Sequence, residues 1–455
     1  MRNIVGGAKT QPLATRRAQS YNTGTDYIDS ELGGYGLYYR SVMISLGLIY
    51  PGGPGFPYPV DLPTEKGRAV AESFRRAVKD TEYYQRYFDE DLADIPIGVV
   101  ESYIRRACLC QLQRSDVPDR ALVLDAFLHG GEGESPAARR KTLRLLLDIV
   151  DQTDGFVLDQ DAFRQLLYFG TCHSGAAYAP RDDLTDIYRR WRLYQAREYY
   201  GFALNALWYY LCDWGISQHG EVRPVELDQL WSHLDGALDF GTLAARLSLP
   251  PPNLRAVSDV QAQFDWLTRV NRASEETFDT DCGLDRPLSE QSLYALAQAN
   301  RGEPDVMVAG MVALLGLVYL RFGHRNLWMR PDWDISRMGA DGRLSLDGFV
   351  KAVQRRMRLG SFTMGAFARW LVDDYVILQH QLVAAGKLPD NTYRFQREGS
   401  RLRFYRRENA LAFMDSRYSA LSTTVYELGL CGSPVTSTHP LTPDGRLLLQ
   451  EGDLR

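Results

Sequence analysis

The chain has 455 residues, enough for two to four domains, and its 45% hydrophobic content can fill real cores, which excludes a disordered protein. A formal charge of −5 excludes a global basic field, so nucleic acid or an anionic membrane could be met only through a local patch. Six of the 52 basic residues are lysines and 46 are arginines, a bias of GC-rich bacterial coding, and six cysteines over this length do not make a disulfide framework.

Residues 1–30 are polar and carry Asn22-Thr23-Gly24, which reads as a loop or loosely attached arm, and the N-terminus has no apolar core of a signal peptide. The segment 31–90 opens with a short helix, LYYRSVMIS, that runs into Leu46-Gly47-Leu48-Ile49. A Gly/Pro-rich span from Pro51 to Pro59 follows, then Leu62-Pro63-Thr64 and a helix containing RAVAESFRRAV.

A helical domain is expected over 91–249. Val100, Ile104, Cys108 and Leu112 recur every four residues; Ser135-Pro136 starts a helix with Leu143, Leu146, Leu147 and Val150 on one stripe. Asp159 opens another, closed by Gly170. The longest helix is predicted from about Asp186 to Trp214, with aromatic residues on nearly every face, as suits a central element. Pro250-Pro251-Pro252 cannot continue a helix and marks the start of a second helical domain, 250–388. Within it Ser289 caps EQSLYALAQAN. Val306 to Leu320 is 15 residues without a charge, short of the ~18–20 that span a bilayer, so it is read as a core helix.

The last segment, 389–455, changes character. Tyr393, Phe395, Leu402 and Phe404 alternate with Arg394, Gln396, Arg401 and Arg403 about a Glu398-Gly399-Ser400 turn, the pattern of a hairpin with one apolar and one basic face. Arg394, Arg397, Arg401, Arg403, Arg406 and Arg407 form the candidate nucleic-acid-binding set, because positive charge beside aromatic rings attracts phosphates and stacked bases. A docking face for an acidic protein, or a solvated face, is the alternative. The helix RYSALSTTVYE then ends in Leu428-Gly429-Leu430, and Leu441-Thr442-Pro443-Asp444-Gly445 repeats the earlier turn-and-cap order.

The motifs of common chemistries are missing. Gly386-Lys387 is followed by leucine, so no phosphate-cradling Gly-Lys-Ser/Thr loop exists, and no G-x-S-x-G elbow is present. Gly342 suits a calcium loop, but Arg337, Gly339 and Gly348 stand where carboxylates are needed. Cys108 and Cys110, one residue apart in the expected helix, and Cys172-His173 lack zinc-ligand spacing. Glu198 and Asn205 share a face of the aromatic helix as candidate buried polar partners. No catalytic, cofactor-binding or metal-binding residue is assigned; the competing reading is a metal-dependent nuclease using Asp332, Asp334, Asp373 and Asp374.

The order of elements over 36–79 resembles winged-helix DNA-binding domains, in which a recognition helix ends at a Leu-Gly-Leu-Ile turn, a hairpin wing follows and a Leu-Thr-x-x-Gly step enters the next helix. Pro63 departs from that pattern. At larger scale, GLYYRSVMISLGLI with GRAVAESFRRAV, WRLYQAREYYGFALNALW and RLRFYRRENALAFMDSRYSALSTTVYELGL are similar to large helical bacterial proteins encoded near anti-phage systems, beside helicases and nucleases. That resemblance implies a non-enzymatic, cytoplasmic scaffold or adaptor with protein subunits as partners and a module facing nucleic acid. It transfers no catalytic residue, and it leads us to expect a further region upstream. The expected architecture is mainly α: multi-helix domains, a winged-helix-like N-terminal segment and a small C-terminal β-hairpin module.

Overall fold

Helix-period patterning bounded by capping side chains dominates the chain, and the protein is mainly α, with three small sheets among the described residues. The computed structural model describes residues 19–22, 34–88, 94–114, 116–153, 156–323, 344–408, 410–413, 417–432 and 440–454. Two compact units divide it: Met1–Asp159 with Pro180–Ile187 and Ser419–Arg455, and Gln160–Ala179 with Tyr188–Tyr418.

In the first unit, Ser20–Asn22 pairs antiparallel with Asp94–Pro96, placing Tyr21 opposite Ile95, and both side chains are buried. Part of the stretch read as a loose arm is therefore held in a strand. A π-helical turn, Tyr35–Tyr39, leads into the helix Arg40–Ser45. Ile49–Tyr50 and Leu62–Pro63 make a short antiparallel pair, after which Thr64 caps Glu65–Val78. Pro63 is tolerated because it lies in a two-residue edge pair, and Thr64 supplies the hydroxyl that the following helix needs.

The Leu-Gly-Leu turn is built twice, by the same bonds. Gly47 and Gly429 adopt φ of +66° and +72°, a region in which a Cβ is strained. Leu48 N–H then donates to Met43 O at 2.9 Å, and Leu430 N–H to Val425 O at 3.0 Å. The Thr64 hydroxyl donates to Gly47 O at 2.8 Å and accepts from Gly67 N–H at 3.0 Å. The Thr442 hydroxyl donates to Gly429 O at 2.7 Å and accepts from Gly445 N–H at 3.0 Å. Gly67 and Gly445 approach the preceding turns so closely that a Cβ would stand 2.0 Å from Leu48 O and 1.9 Å from Leu430 O. Both turns pack on the helix Arg120–His129. Gly130 closes on Leu46 O at its C-terminal end, while Arg120 at the other end lies beside Gly429 and pairs with Asp444 at 2.6 Å.

In the second unit the helix Thr185–His219, from Tyr188 onward, forms the axis, and Tyr199, Tyr200, Phe202 and Ala206 are fully buried. Aromatic residues on many faces thus reflect packing on many sides. The apolar stretch extends to Asp305–Phe322, 18 residues and 94% buried, so it is a core helix of this unit. Arg321, at 1% exposure, makes a two-pronged pair with the fully buried Glu290 at 2.5 and 2.9 Å; Tyr168 donates to the same carboxylate at 2.9 Å. Pro250-Pro251-Pro252 is an extended connector inside this unit. The hairpin Phe395–Glu398 and Arg401–Phe404 forms with Phe395 opposite Phe404 and Glu398 opposite Arg401. Pro224–Glu226 adds a third strand on Arg401–Phe404 that the sequence pattern did not reveal, since it is three residues between helices.

Candidate nucleic-acid interface

The alternation of the hairpin folds as expected. Phe395, Leu402 and Phe404 are buried, which turns Arg401 and Arg403 outward. Their charge is balanced locally. Arg394, Arg397, Arg401, Arg403 and Arg407 each meet a carboxylate: Glu408 at 2.9 Å, Asp373 at 2.6 Å, Glu226 at 2.5 Å, Glu398 at 3.0 Å and Asp213 at 3.5 Å. The pairing Arg401 opposite Glu226 follows from the third strand, and Glu398 opposite Arg401 from the two-residue turn. Arg403 holds the Glu398 carboxyl below its usual range by a hydrogen bond. Arg406 differs: its Nη2 donates to Asn391 O at 2.8 Å, and it has no carboxylate partner among the described residues.

One place brings together two cations, Lys387 and Arg406, that have no carboxylate partner among the described residues. A cavity of about 300 Å³ is lined by Trp208, His380, Val383, Ala384, Lys387, Thr392, Arg394 and Arg406, and Lys387 has no side-chain partner among the described residues. The helix Leu378–Ala385 supplies His380, whose ring lies 5.4 Å from that of Trp208 and 4.6 Å from that of Phe395. Arg394 N–H donates to His380 Nε2 at 2.9 Å, which fixes the tautomer with hydrogen on Nδ1. Burial, then the nearby Arg394 charge, pushes the His380 pKa down to about 4, so the ring is neutral at pH 7. Lys387, His380 and Trp208 escaped the sequence reading, because a single lysine after glycine and an aromatic residue in a core helix carry no motif.

The acids of the nuclease reading have structural partners where they are described. Asp373 pairs with Arg397, and Asp374 accepts from Trp370 Nε1 at 2.9 Å. Asp332 and Asp334 lie outside the described residues, as do Arg337, Gly339 and Gly342. Among the described residues no group of three or more His, Cys, Asp or Glu side chains could hold a metal ion. Cys108 is the residue after the helix Ile97–Ala107, one turn earlier than its four-residue spacing predicts, and its Sγ accepts from Cys110 N–H. Glu198 is buried, whereas Asn205 donates to Ala410 O at 3.4 Å.

The segment from Leu37 to Leu62 in the first unit has the opposite chemistry. Nine large apolar side chains between Leu37 and Leu62 are each at least 38% exposed, among them Tyr38, Tyr50, Phe56 and Val60. Several of them meet: the Tyr50 and Tyr58 rings are 5.9 Å apart, Tyr50 stands opposite Leu62, and the Arg40 guanidinium lies 5.9 Å over Phe56. Arg40 and Asp61 pair at 2.7 Å, and Asp61 also accepts from Tyr35 at 2.6 Å and from Gly52 N–H at 2.7 Å. The face is therefore apolar, aromatic and electrically neutral. Comparison with protein-family models, curated proteins and solved structures finds no match.

Proposed function

We propose that the protein is a non-catalytic scaffold subunit whose first unit docks a protein partner through the 37–62 face, while its second unit presents a basic site to nucleic acid. The observation that carries this reading is the exposed neutral face. Five of the nine are aromatic (Tyr38, Tyr39, Tyr50, Phe56 and Tyr58), and at roughly 200 Å² per aromatic side chain, about half exposed, these alone present on the order of 500 Å². That is within the ~300–600 Å² of the largest patch on a typical monomer, a size often tied to function. Phosphates would find no free cation there, since Arg40 is committed to Asp61, so the winged-helix-like element is read as protein-binding. The partner is a second copy of this chain: a two-fold interface sets the same patch against itself, so any net charge on the patch would be doubled across it, and a face without net charge meets its copy without net repulsion. The similarity to proteins encoded beside anti-phage systems supplies the setting in which the assembly would act.

Sedimentation equilibrium tests this. The wild type is expected to reach twice the chain mass at micromolar concentration, and Tyr38→Glu with Phe56→Glu to remain at 51.6 kDa with an unchanged circular dichroism spectrum. A wild type that stays monomeric to 100 μM (roughly a −5.5 kcal/mol limit) overturns the pairing.

A further inference from the structure

The cavity on the second unit offers two kinds of wall that one ligand class would use together. One wall is aromatic and apolar: the Trp208 and His380 rings, their planes 39° apart, with Val383 beside them. The other carries Lys387 and Arg406, and among the described residues no carboxylate lines the cavity. Arg394 is present too, but its Nε is committed to Glu408. Arg406 spends Nη2 on Asn391 O, which orients the guanidinium while leaving other N–H donors. The Thr392 hydroxyl adds a neutral donor and acceptor. A simple anion would use the cations and waste the rings; an apolar ligand would strand two charges. A planar base bearing a phosphate uses both, by stacking at the aromatic wall and by charge-assisted hydrogen bonds at Lys387 and Arg406. The volume, about 300 Å³, is at the lower end of the ~300–1,000 Å³ of small-molecule sites, which suits one nucleotide and not a dinucleotide.

We propose that this cavity binds a single nucleoside monophosphate unit, either free or as the phosphorylated end of a single strand. The inference deepens the nucleic-acid half of the proposed function and narrows it from an arginine ridge to a site with an end. The arginines of the hairpin, Arg401 and Arg403, lie outside the cavity and are tied to Glu226 and Glu398.

The test uses the full chain and four probes: AMP, inorganic phosphate, and a fluorescent ten-nucleotide oligo(dT) with either a 5′-phosphate or a 5′-hydroxyl. Calorimetry reads the first two and fluorescence anisotropy the strands. AMP is expected to bind at least tenfold more tightly than phosphate. Lys387→Gln with Arg406→Gln should weaken it about a hundredfold, roughly tenfold per charge-assisted contact. Arg401→Gln with Arg403→Gln should leave it within twofold. A preference for the 5′-phosphorylated strand over the hydroxyl strand identifies a strand end as the source; AMP binding without that preference identifies a free nucleotide. Equal binding of AMP and phosphate overturns the nucleoside assignment, and no binding of AMP at millimolar concentration overturns the site. If the strands bind regardless of their ends and only Arg401→Gln with Arg403→Gln weakens them, this site fails while the broader nucleic-acid reading stands.

Discussion

Replacing Gly67 by alanine tests whether the helix Glu65–Val78 is locked onto the preceding turn. A Cβ there would lie 2.0 Å from Leu48 O and 3.0 Å from Leu48 C, where ordinary contacts need more than 3.4 Å. The obstacle is backbone, so the helix must retreat by about 1 Å or more. That retreat breaks or stretches two hydrogen bonds, Thr64 N–H to Leu48 O at 3.0 Å and the Thr64 hydroxyl to Gly47 O at 2.8 Å. At about 1 kcal/mol each, with about 1–2 kcal/mol for disturbed packing, the loss is about 3–4 kcal/mol. Alanine returns up to about 1 kcal/mol through its helix propensity. The net expectation is a loss of about 2–3 kcal/mol, read by urea denaturation with the first unit's transition followed. Gly98→Ala is the control: it is helical, nothing lies within 4 Å of its added Cβ, and it should be neutral or stabilising. Equal stability of Gly67→Ala and Gly98→Ala would refute the close-packed turn. Gly445→Ala should behave like Gly67→Ala, because its Cβ would meet Leu430 O at 1.9 Å.

Two predictions concern the second unit. Arg321→Met leaves the fully buried Glu290 carboxylate without its cation and should cost about 3–5 kcal/mol, while adding Glu290→Gln should recover a large part; chemical denaturation of both variants decides, and a single-variant loss under 1 kcal/mol contradicts it. His380 has its pKa lowered to about 4 from 6.5, so the unfolded chain binds the extra proton between those values. Stability from this group is complete above pH 6.5 and is lost as pH falls toward 4, by at most about 2 kcal/mol after allowance for partial solvent exposure. His380→Gln should flatten that part of the stability–pH curve, and an unchanged slope would show that the ring is not held neutral.

The helices were legible because their stripes and caps are local. Ser289 does cap Glu290–Ala299, and Gly170 takes a positive φ at the end of Gln160–Phe169. The hairpin register was legible because period-two alternation and Gly399 leave one solution. The carboxylates that neutralise its arginines were not, since Glu226 and Asp373 lie 175 and 24 residues away from Arg401 and Arg397. The same distance hid the cavity: Trp208 comes from the central helix and Lys387 from a segment whose local pattern says only surface, while Arg406, although one of the arginines singled out in the sequence, could not be told there from its neutralised neighbours. The repeated Leu-Gly-Leu and Thr-x-x-Gly order was visible as spelling, whereas its common bonding required the carbonyl of one segment to meet the glycine of another.

Hydrogen exchange across a dilution series tests the scaffold reading most directly. The account predicts that peptides covering residues 37–62 become protected as concentration rises through the dimerisation midpoint, while peptides of the second unit exchange at a constant rate. Exchange over 37–62 that does not change with concentration, at a constant monomer mass, would contradict it.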